Sequence, residues 1–233
     1  MATSTVEDYL KRIYLEQQAA PEARVPTGQI AQALSVTPGT ATAMIKTLAD
    51  SGLVDHEPYA GVRLTQAGKA LATRVVRRHR LVELFLVEVM GMNWSEVHSE
   101  AEVLEHAVSD RLIERIDEML GRPASDPHGD PIPTSLGEFV APQSLESLIA
   151  CPLGASRIVA RVTDQRADFL RLVESHGLMP GERVVVRARD ELMDSVEVLP
   201  GRGEPLRLGF RAASRVLVAP ESGIGPLVAG GER

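Results

Sequence analysis

The spacing of apolar side chains divides the chain into a helical front and a strand-rich back. Residues 6–18 place Leu10, Ile13, Tyr14 and Gln17 at three- and four-residue steps, which predicts an amphipathic helix. A second helix opens at Pro26 and Thr27, with Thr27 as its N-cap, and covers GQIAQAL. Thr37 caps a third. Pro38 sits at its first position, where a missing N–H costs nothing, and Ala41, Met44, Ile45 and Leu48 form the buried side up to Gly52. Leu53 with Val54 and residues 62–64 are short β-like stretches around the turn-rich residues 56–61. A long helix follows over residues 65–90, with Arg74, Arg77, Arg78 and Arg80 on its polar side, and another over residues 95–120, led by Ser95 and Glu96 as a cap signal. Residues 121–143 are dense in Pro and Gly and cannot continue a helix, which makes them a connector at a domain boundary. Beyond it, residues 157–162, 182–189, 195–199, 206–210 and 215–218 alternate in the period of strands, interrupted by a short helix over 167–175. Five short strands with tight turns predict a small barrel. The Gly-rich residues 221–233 read as a disordered tail.

Two helices joined by a tight turn and followed by a hairpin have the layout of a winged helix-turn-helix, the alternative being a small bundle whose third helix only packs. The exposed face of that helix favours the DNA reader. Thr37, Pro38, Gly39, Thr40, Thr42, Ala43 and Lys46 are mostly small and polar, unlike the Glu/Lys mixture of a solvated face. Small hydroxyl and methyl groups let a helix sit deep in the major groove against base edges. Lys46, with Tyr59 and Arg63 on the wing, suits phosphate contacts, which position a protein without specifying sequence.

Charge changes this picture little. The net charge is −7, yet residues 1–80 carry ten Lys and Arg against seven acids, a net of +3, so the remainder carries −10. A basic front on an acidic body fits docking on phosphates by one face, and fits the absence of nucleic acid equally well. The one cysteine, Cys151, allows no internal disulfide, and neither a signal-peptide layout nor a membrane-length apolar run is present; both point to a cytoplasmic protein.

Candidate chemistry lies on the two long helices. His98, Glu102, Glu105 and His106 fall at steps of four, three and one, which on a helix turns them to one side. His79 and Glu83 form another pair one turn apart, and Asp8 on the first helix offers a further carboxylate. Imidazoles and carboxylates converging from packed helices build divalent-metal sites, although the same acids are common on solvated faces. A hydrolytic metal site uses similar ligands, but no nucleophile motif, glycine-rich phosphate loop or H-E-x-x-H is present, and the chain reads as a non-enzyme.

The segments IAQALSVTPGTATAMIKTLADSGLV, RRHRLVELFL, HSEAEVLEHAVSD and DPHGDPIP together resemble the diphtheria-toxin-repressor family of iron- and manganese-dependent regulators. The resemblance implies a mainly α chain with a small β part: a winged helix-turn-helix over 1–70, a helical metal-binding and dimerisation domain over 71–142, and an SH3-like domain over 143–220. It implies a metal-dependent repressor of metal-uptake genes that binds palindromic operator DNA as a homodimer, away from membranes. A primary metal site is implied at Asp8, Glu102, Glu105 and His106. An ancillary site is implied at His79, Glu83 and His98, with Gln165 and Asp168 the nearest candidates to complete it from the C-terminal domain.

Iron-sensing members put Met and Cys where this chain has Asp8 and Glu102, as the manganese-sensing branch does. Carboxylates harden the site toward Mn²⁺, with Fe²⁺ or another divalent transition metal as the alternative. Members with a two-metal cluster carry Glu at the position of Lys11, so separate primary and ancillary sites are expected. The competing readings are an iron-responsive repressor of the same family and a metal-independent regulator that senses an organic ligand.

Overall fold

The computed structural model describes residues 3–139 and 144–221. The expected tail therefore lies, apart from Glu221, outside the described residues, as does the end of the connector. The chain forms two compact units, Met1–His79 with Pro133–Glu138 and Arg80–Ile132 with Phe139–Arg233.

In the first unit, α1 (Ser4–Ala19), α2 (Thr27–Ala33) and α3 (Pro38–Asp50) precede a two-stranded antiparallel ribbon of β1 (Val54–Glu57) and β2 (Gly61–Leu64). Leu10 and Ile13 of α1, Ile30 of α2, Ala41 and Ile45 of α3 and Val62 of β2 are fully buried. The periodicity of the sequence thus becomes the core of a winged helix-turn-helix. Thr37 caps α3 as expected, accepting the Thr40 N–H at 3.2 Å. Thr27 does not cap α2: it is the first helical residue, and Pro26 precedes it without a side-chain cap. The ribbon is longer than its apolar residues indicate, because Asp55, His56 and Glu57 continue β1 on a solvent-facing hairpin where no burial marks the strand.

Helix α4 (Gln66–Glu88) runs from the first unit into the second. Two of its four expected surface arginines are buried. Arg77 donates to the Pro133 carbonyl at 3.0 Å, and Arg80 donates to the Pro131 carbonyl, so the connector's backbone recruits them. The expected helix over 95–120 is two helices, α5 (Val97–Leu104) and α6 (Asp110–Met119). Ser109 causes the break by accepting the Leu112 N–H at 3.2 Å and starting α6 afresh.

The second unit adds β3 (Glu146–Ser147), β4 (Ser156–Val162), α7 (Ala167–Ser175), β5 (Arg183–Asp190), β6 (Ser195–Pro200), β7 (Leu206–Gly209), α8 (Phe210–Ala213) and β8 (Val216–Pro220). The strands form an antiparallel sheet in the order β3-β8-β4-β5-β6-β7. Val159, Val162, Leu170, Val186, Val196 and Val218 lie in its core, together with Trp94 from the loop before α5. A second core joins Leu81, Val82, Leu86, Val97, Ala101 and Ile116, and Ile132 of the connector closes it.

One irregularity positions the candidate site. The β4–β8 register slips between Val159 and Arg161, leaving Ala160 as an extra residue. The bulge lets both Val159 and Val162 enter the core and turns Arg161 to the other face. The Ala160 carbonyl there abuts Gly129 of the connector so closely that a Cβ on Gly129 would lie 2.0 Å from its oxygen. Gly129 also has φ of +84°, whereas Gly154, at φ +73°, faces open space.

Gly154→Ala should therefore cost only the left-handed strain of about 1–2 kcal/mol. Gly129→Ala should add an overpacking cost of about 1–3 kcal/mol to that strain. Denaturant unfolding of both variants checks the difference, and equal losses would contradict the close approach of the connector to β4.

Candidate metal centre and nucleic-acid interface

In the first unit, α3 presents Thr37, Pro38, Gly39, Thr40, Ala43 and Lys46 to solvent, with Thr42 half-buried. Thr47 extends the same exposed face and was not singled out by the sequence pattern, although its four-residue step from Ala43 signals it. The hydroxyls are held locally: Thr37 pairs with Thr40 at 2.9 Å, Thr42 donates to the Pro38 carbonyl at 2.8 Å and Thr47 to that of Ala43 at 3.2 Å. On the wing, Tyr59 is fully exposed at the hairpin tip with φ of +67°. Arg63 is drawn to the carbonyl and carboxylate of Glu22, and Arg24 bridges Asp55 at 2.6 Å and Glu57 at 3.2 Å. Much of the wing's positive charge is thus balanced internally.

The expected ligands fall in both units. Asp8, half-buried on α1, and His79 belong to the first. His79 is buried with its Nδ1 2.9 Å from the Nζ of Lys11, itself only 6% exposed. An ammonium only donates, so Nδ1 accepts and the ring proton sits on Nε2. In this state His79 serves Lys11, and metal ligation requires that bond to be given up. Lys11 thus does more than withhold a carboxylate.

In the second unit, Glu83 is a carboxylate with no solvent exposure, and an imidazole approaches each of its oxygens. His98 Nδ1 lies 3.0 Å from Oε1, and His128 Nδ1 lies 3.8 Å from Oε2. His98 also reaches Glu102, with 3.6 Å between Nε2 and Oε1. Glu105 is fully buried at the C-terminal end of α5, and His106 Nε2 lies 3.5 Å from its Oε1. The second unit therefore brings Glu83, His98 and Glu102 into one chain of contacts and sets Glu105 beside His106.

Gln165 and Asp168 do not complete this set. The Gln165 amide donates to Asp130 Oδ2 at 2.7 Å. The Asp168 side chain is 72% exposed, accepts the Phe169 N–H at 2.8 Å in the first turn of α7 and faces Arg166. Asp168 enters no cluster of potential ligands among the described residues.

The structure instead supplies two residues that the sequence pattern missed. Asp126 and His128 of the connector are buried and offer donor atoms that, with one from Glu83, all lie within 4.8 Å of one another. Asp126 Oδ1 accepts the backbone N–H groups of His128 at 2.8 Å and Asp130 at 2.9 Å, which shapes the turn. His128 Nε2 donates to the Trp94 carbonyl at 2.9 Å, and the Trp94 ring stacks on the imidazole at 5.3 Å. That bond fixes Nδ1 as the nitrogen with a free lone pair in the neutral ring. His128 Nδ1 and Asp126 Oδ2 are both buried and make no hydrogen bond among the described residues. Two carboxylates and an imidazole with donor atoms directed at one another fit a divalent ion. The signal in the sequence was a histidine two residues from an aspartate on either side, but in a segment without helical or strand period.

The electrostatics agree with this fit. Burial alone would depress His128, but Glu83, Asp126 and the Trp94 carbonyl outweigh it and push the imidazole up to about 9. Burial raises Asp126, and the nearby charges of Asp130 and Glu83 raise it further, against His128 and Arg80. Glu83 and Asp126 therefore favour the protonated, cationic form of His128 in the metal-free protein.

Comparison with known proteins gives a consistent result. Residues 1–62 match the iron dependent repressor N-terminal DNA binding domain, 65–134 the iron dependent repressor metal binding and dimerisation domain, and 147–220 the FeoA domain. The iron-dependent repressor IdeR of Mycobacterium tuberculosis is 31% identical over 211 residues, covering 85% of this chain and 86% of that protein. A solved manganese-dependent transcriptional repressor in complex with manganese is 42% identical, with a TM-score of 0.82 over 92% of this chain and 99% of the other. The manganese regulator SloR is 32% identical, with a TM-score of 0.73 over 93% and 98% of the two chains.

The raised His128 sets a pH dependence for the metal-free protein. Its folded value of about 9 exceeds the ordinary 6.5, so its contribution to stability is fully present below pH 6.5 and is lost as pH rises through 9. The Tm of the metal-free chain should fall over that window, and His128→Gln should flatten the fall. An unchanged slope in the variant, measured by thermal unfolding in chelator, would contradict the assignment.

Proposed function

Since the chain belongs to the iron-dependent repressor family, that of the diphtheria toxin repressor, we propose that it represses transcription in response to Mn²⁺. It is a metal-dependent, DNA-binding transcriptional repressor and not an enzyme. It carries the family's dimerisation domain, and no described helix is long and apolar enough to cross a membrane. Our reading places it in the cytoplasm as a homodimer on palindromic operators of metal-uptake genes.

The observation that carries manganese is the donor set. Among the described residues every clustered candidate ligand is a carboxylate or an imidazole, and the single thiol, Cys151, is packed in the core of the β-sheet. Hard oxygen donors suit Mn²⁺, whereas a sulfur donor would favour the later, softer metals. The proposed activating ligands are Asp8, Glu102, Glu105 and His106. The proposed second set is Glu83, Asp126 and His128, with His98 adjoining it and His79 held by Lys11. When bound, the ion supplies positive charge to groups that otherwise repel one another or hold protons. Glu83 and Asp126 would neutralise it and His128 would hold it through a deprotonated Nδ1, with the ring kept in orientation by the Trp94 carbonyl.

On the DNA side, the proposed reading helix is α3, with Thr37, Pro38, Gly39, Thr40, Thr42, Ala43 and Lys46 at the groove and Tyr59 and Arg63 on the wing. Metal and operator are coupled, since an ion that favours the DNA-competent state gains affinity from DNA by the same factor.

Fluorescence anisotropy with operator-containing genomic fragments, in chelator, in Mn²⁺ and in anaerobic Fe²⁺, tests this reading. Specific binding should appear with Mn²⁺ and vanish with chelator. Asp8→Ala should weaken it by about 5- to 150-fold, the usual range of such coupling. A response to Fe²⁺ alone would replace manganese with iron, the metal named for the mycobacterial relative. Binding in all three conditions would refute metal control.

A further inference from the structure

The C-terminal β domain approaches the buried Glu83–Asp126–His128 cluster, yet its side chains supply none of the three donors. It grips the turn that carries two of them. Arg161, turned outward by the bulge at Ala160, forms an ion pair with Asp130. Gln165 donates to the other Asp130 oxygen at 2.7 Å. Between these side chains the Val162 N–H donates to the His128 carbonyl at 2.8 Å, and Gly129 lies against the Ala160 carbonyl. From the other side, Arg80 of α4 stands 3.8 Å from Asp130 and 3.7 Å from Asp126.

Asp130 is therefore the handle of the turn. Its N–H is accepted by Asp126 Oδ1, and its carbonyl accepts the Asp126 N–H at 2.9 Å, so residues 126–130 close on themselves. Displacing Asp130 displaces Asp126, and with it the N–H of His128 that the same carboxylate oxygen holds. Charge acts in the same sense. Arg161 and Arg80 offset the charge of Asp130, and Arg80 also faces Asp126, so the two arginines ease the repulsion between Asp130 and Asp126.

We propose that Arg161 and Gln165 are positioning residues that set the metal affinity of the Glu83–Asp126–His128 site by holding Asp130. This rests on the reading of that cluster as a metal site. The C-terminal domain then acts on metal binding through the connector turn and without contributing a ligand. Outer partners that orient ligands typically change metal affinity by about 10–100-fold when removed.

The test is isothermal titration of the full-length, metal-stripped protein with Mn²⁺, with thermal unfolding in chelator beside it. His128→Ala should abolish one class of site and lower the stoichiometry. Gln165→Leu and Arg161→Gln should keep the stoichiometry and weaken that class by about 10-fold or more. Arg161→Lys should recover part of the loss, and Arg207→Gln, an exposed charge change in the same sheet, should bind as wild type. If His128→Ala leaves Mn²⁺ binding unchanged, the cluster is not a metal site and both readings fall. If His128→Ala removes a site while Gln165→Leu and Arg161→Gln bind like wild type, the positioning role alone is overturned. Should Arg161→Gln fail to fold, Gln165→Leu decides, because its neutral side chain leaves both arginines on Asp130.

Discussion

A carboxylate with no access to water, on the face of a long helix, constrains the second unit of this protein. Glu83 has to be matched by positive charge or hydrogen bonds, because an isolated buried anion is prohibitive. Two imidazoles approach it, His98 from α5 and His128 from the connector, which gives α5 and the connector reason to lie against α4. Burial of His128 then requires the Trp94 carbonyl for its second nitrogen, and the Trp94 ring that covers it belongs to the core of the β-sheet. One buried charge thus ties the helical core, the connector and the sheet into a single problem of neutralisation.

That problem has two solutions of different worth. In the absence of metal, Glu83 and Asp126 favour the protonated imidazole of His128, and burial beside Asp130 and Glu83 raises Asp126. In the proposed reading a divalent ion would satisfy it further, since it would bring two positive charges to donor atoms that already lie within 4.8 Å of one another. A site whose metal-free state is held by protons in place of an ion exchanges one for the other and need not rebuild its surroundings. This is the property a sensor needs, because the free energy of ion binding then remains available to bias DNA binding.

The first unit solves a simpler problem. Its helix-turn-helix core is largely apolar, and the one buried ammonium among its described residues, that of Lys11, is directed at His79. The face of α3 that meets solvent keeps its threonine hydroxyls on its own backbone and neighbours, which in the proposed reading leaves a small, locally satisfied surface for a DNA groove. Both acids of β1, Asp55 and Glu57, are paired with Arg24, and the ring of Tyr59 is exposed at the tip of the wing.

The sequence determined most of the secondary structure, because each helix and strand satisfies its own backbone and declares its buried face by spacing. Thr37 at the start of α3, the helix Ala167–Ser175 and five of the six strands of the sheet, β4 to β8, were legible for that reason. The family and its function were legible too, from the segments around the reading helix and the Glu105–His106 block. What local pattern could not give were features set by contacts between distant residues. The burial of Arg77 and Arg80 and the engagement of Gln165 with Asp130 depend on partners far away in the chain. Asp126 and His128 were missed on the same ground. They sit in a Pro/Gly-rich segment with no period, and only the folded connector, pinned on one side by α4 and on the other by β4, turns them toward Glu83. Periodicity reports which side of an element is buried, and only tertiary structure decides which buried charges meet.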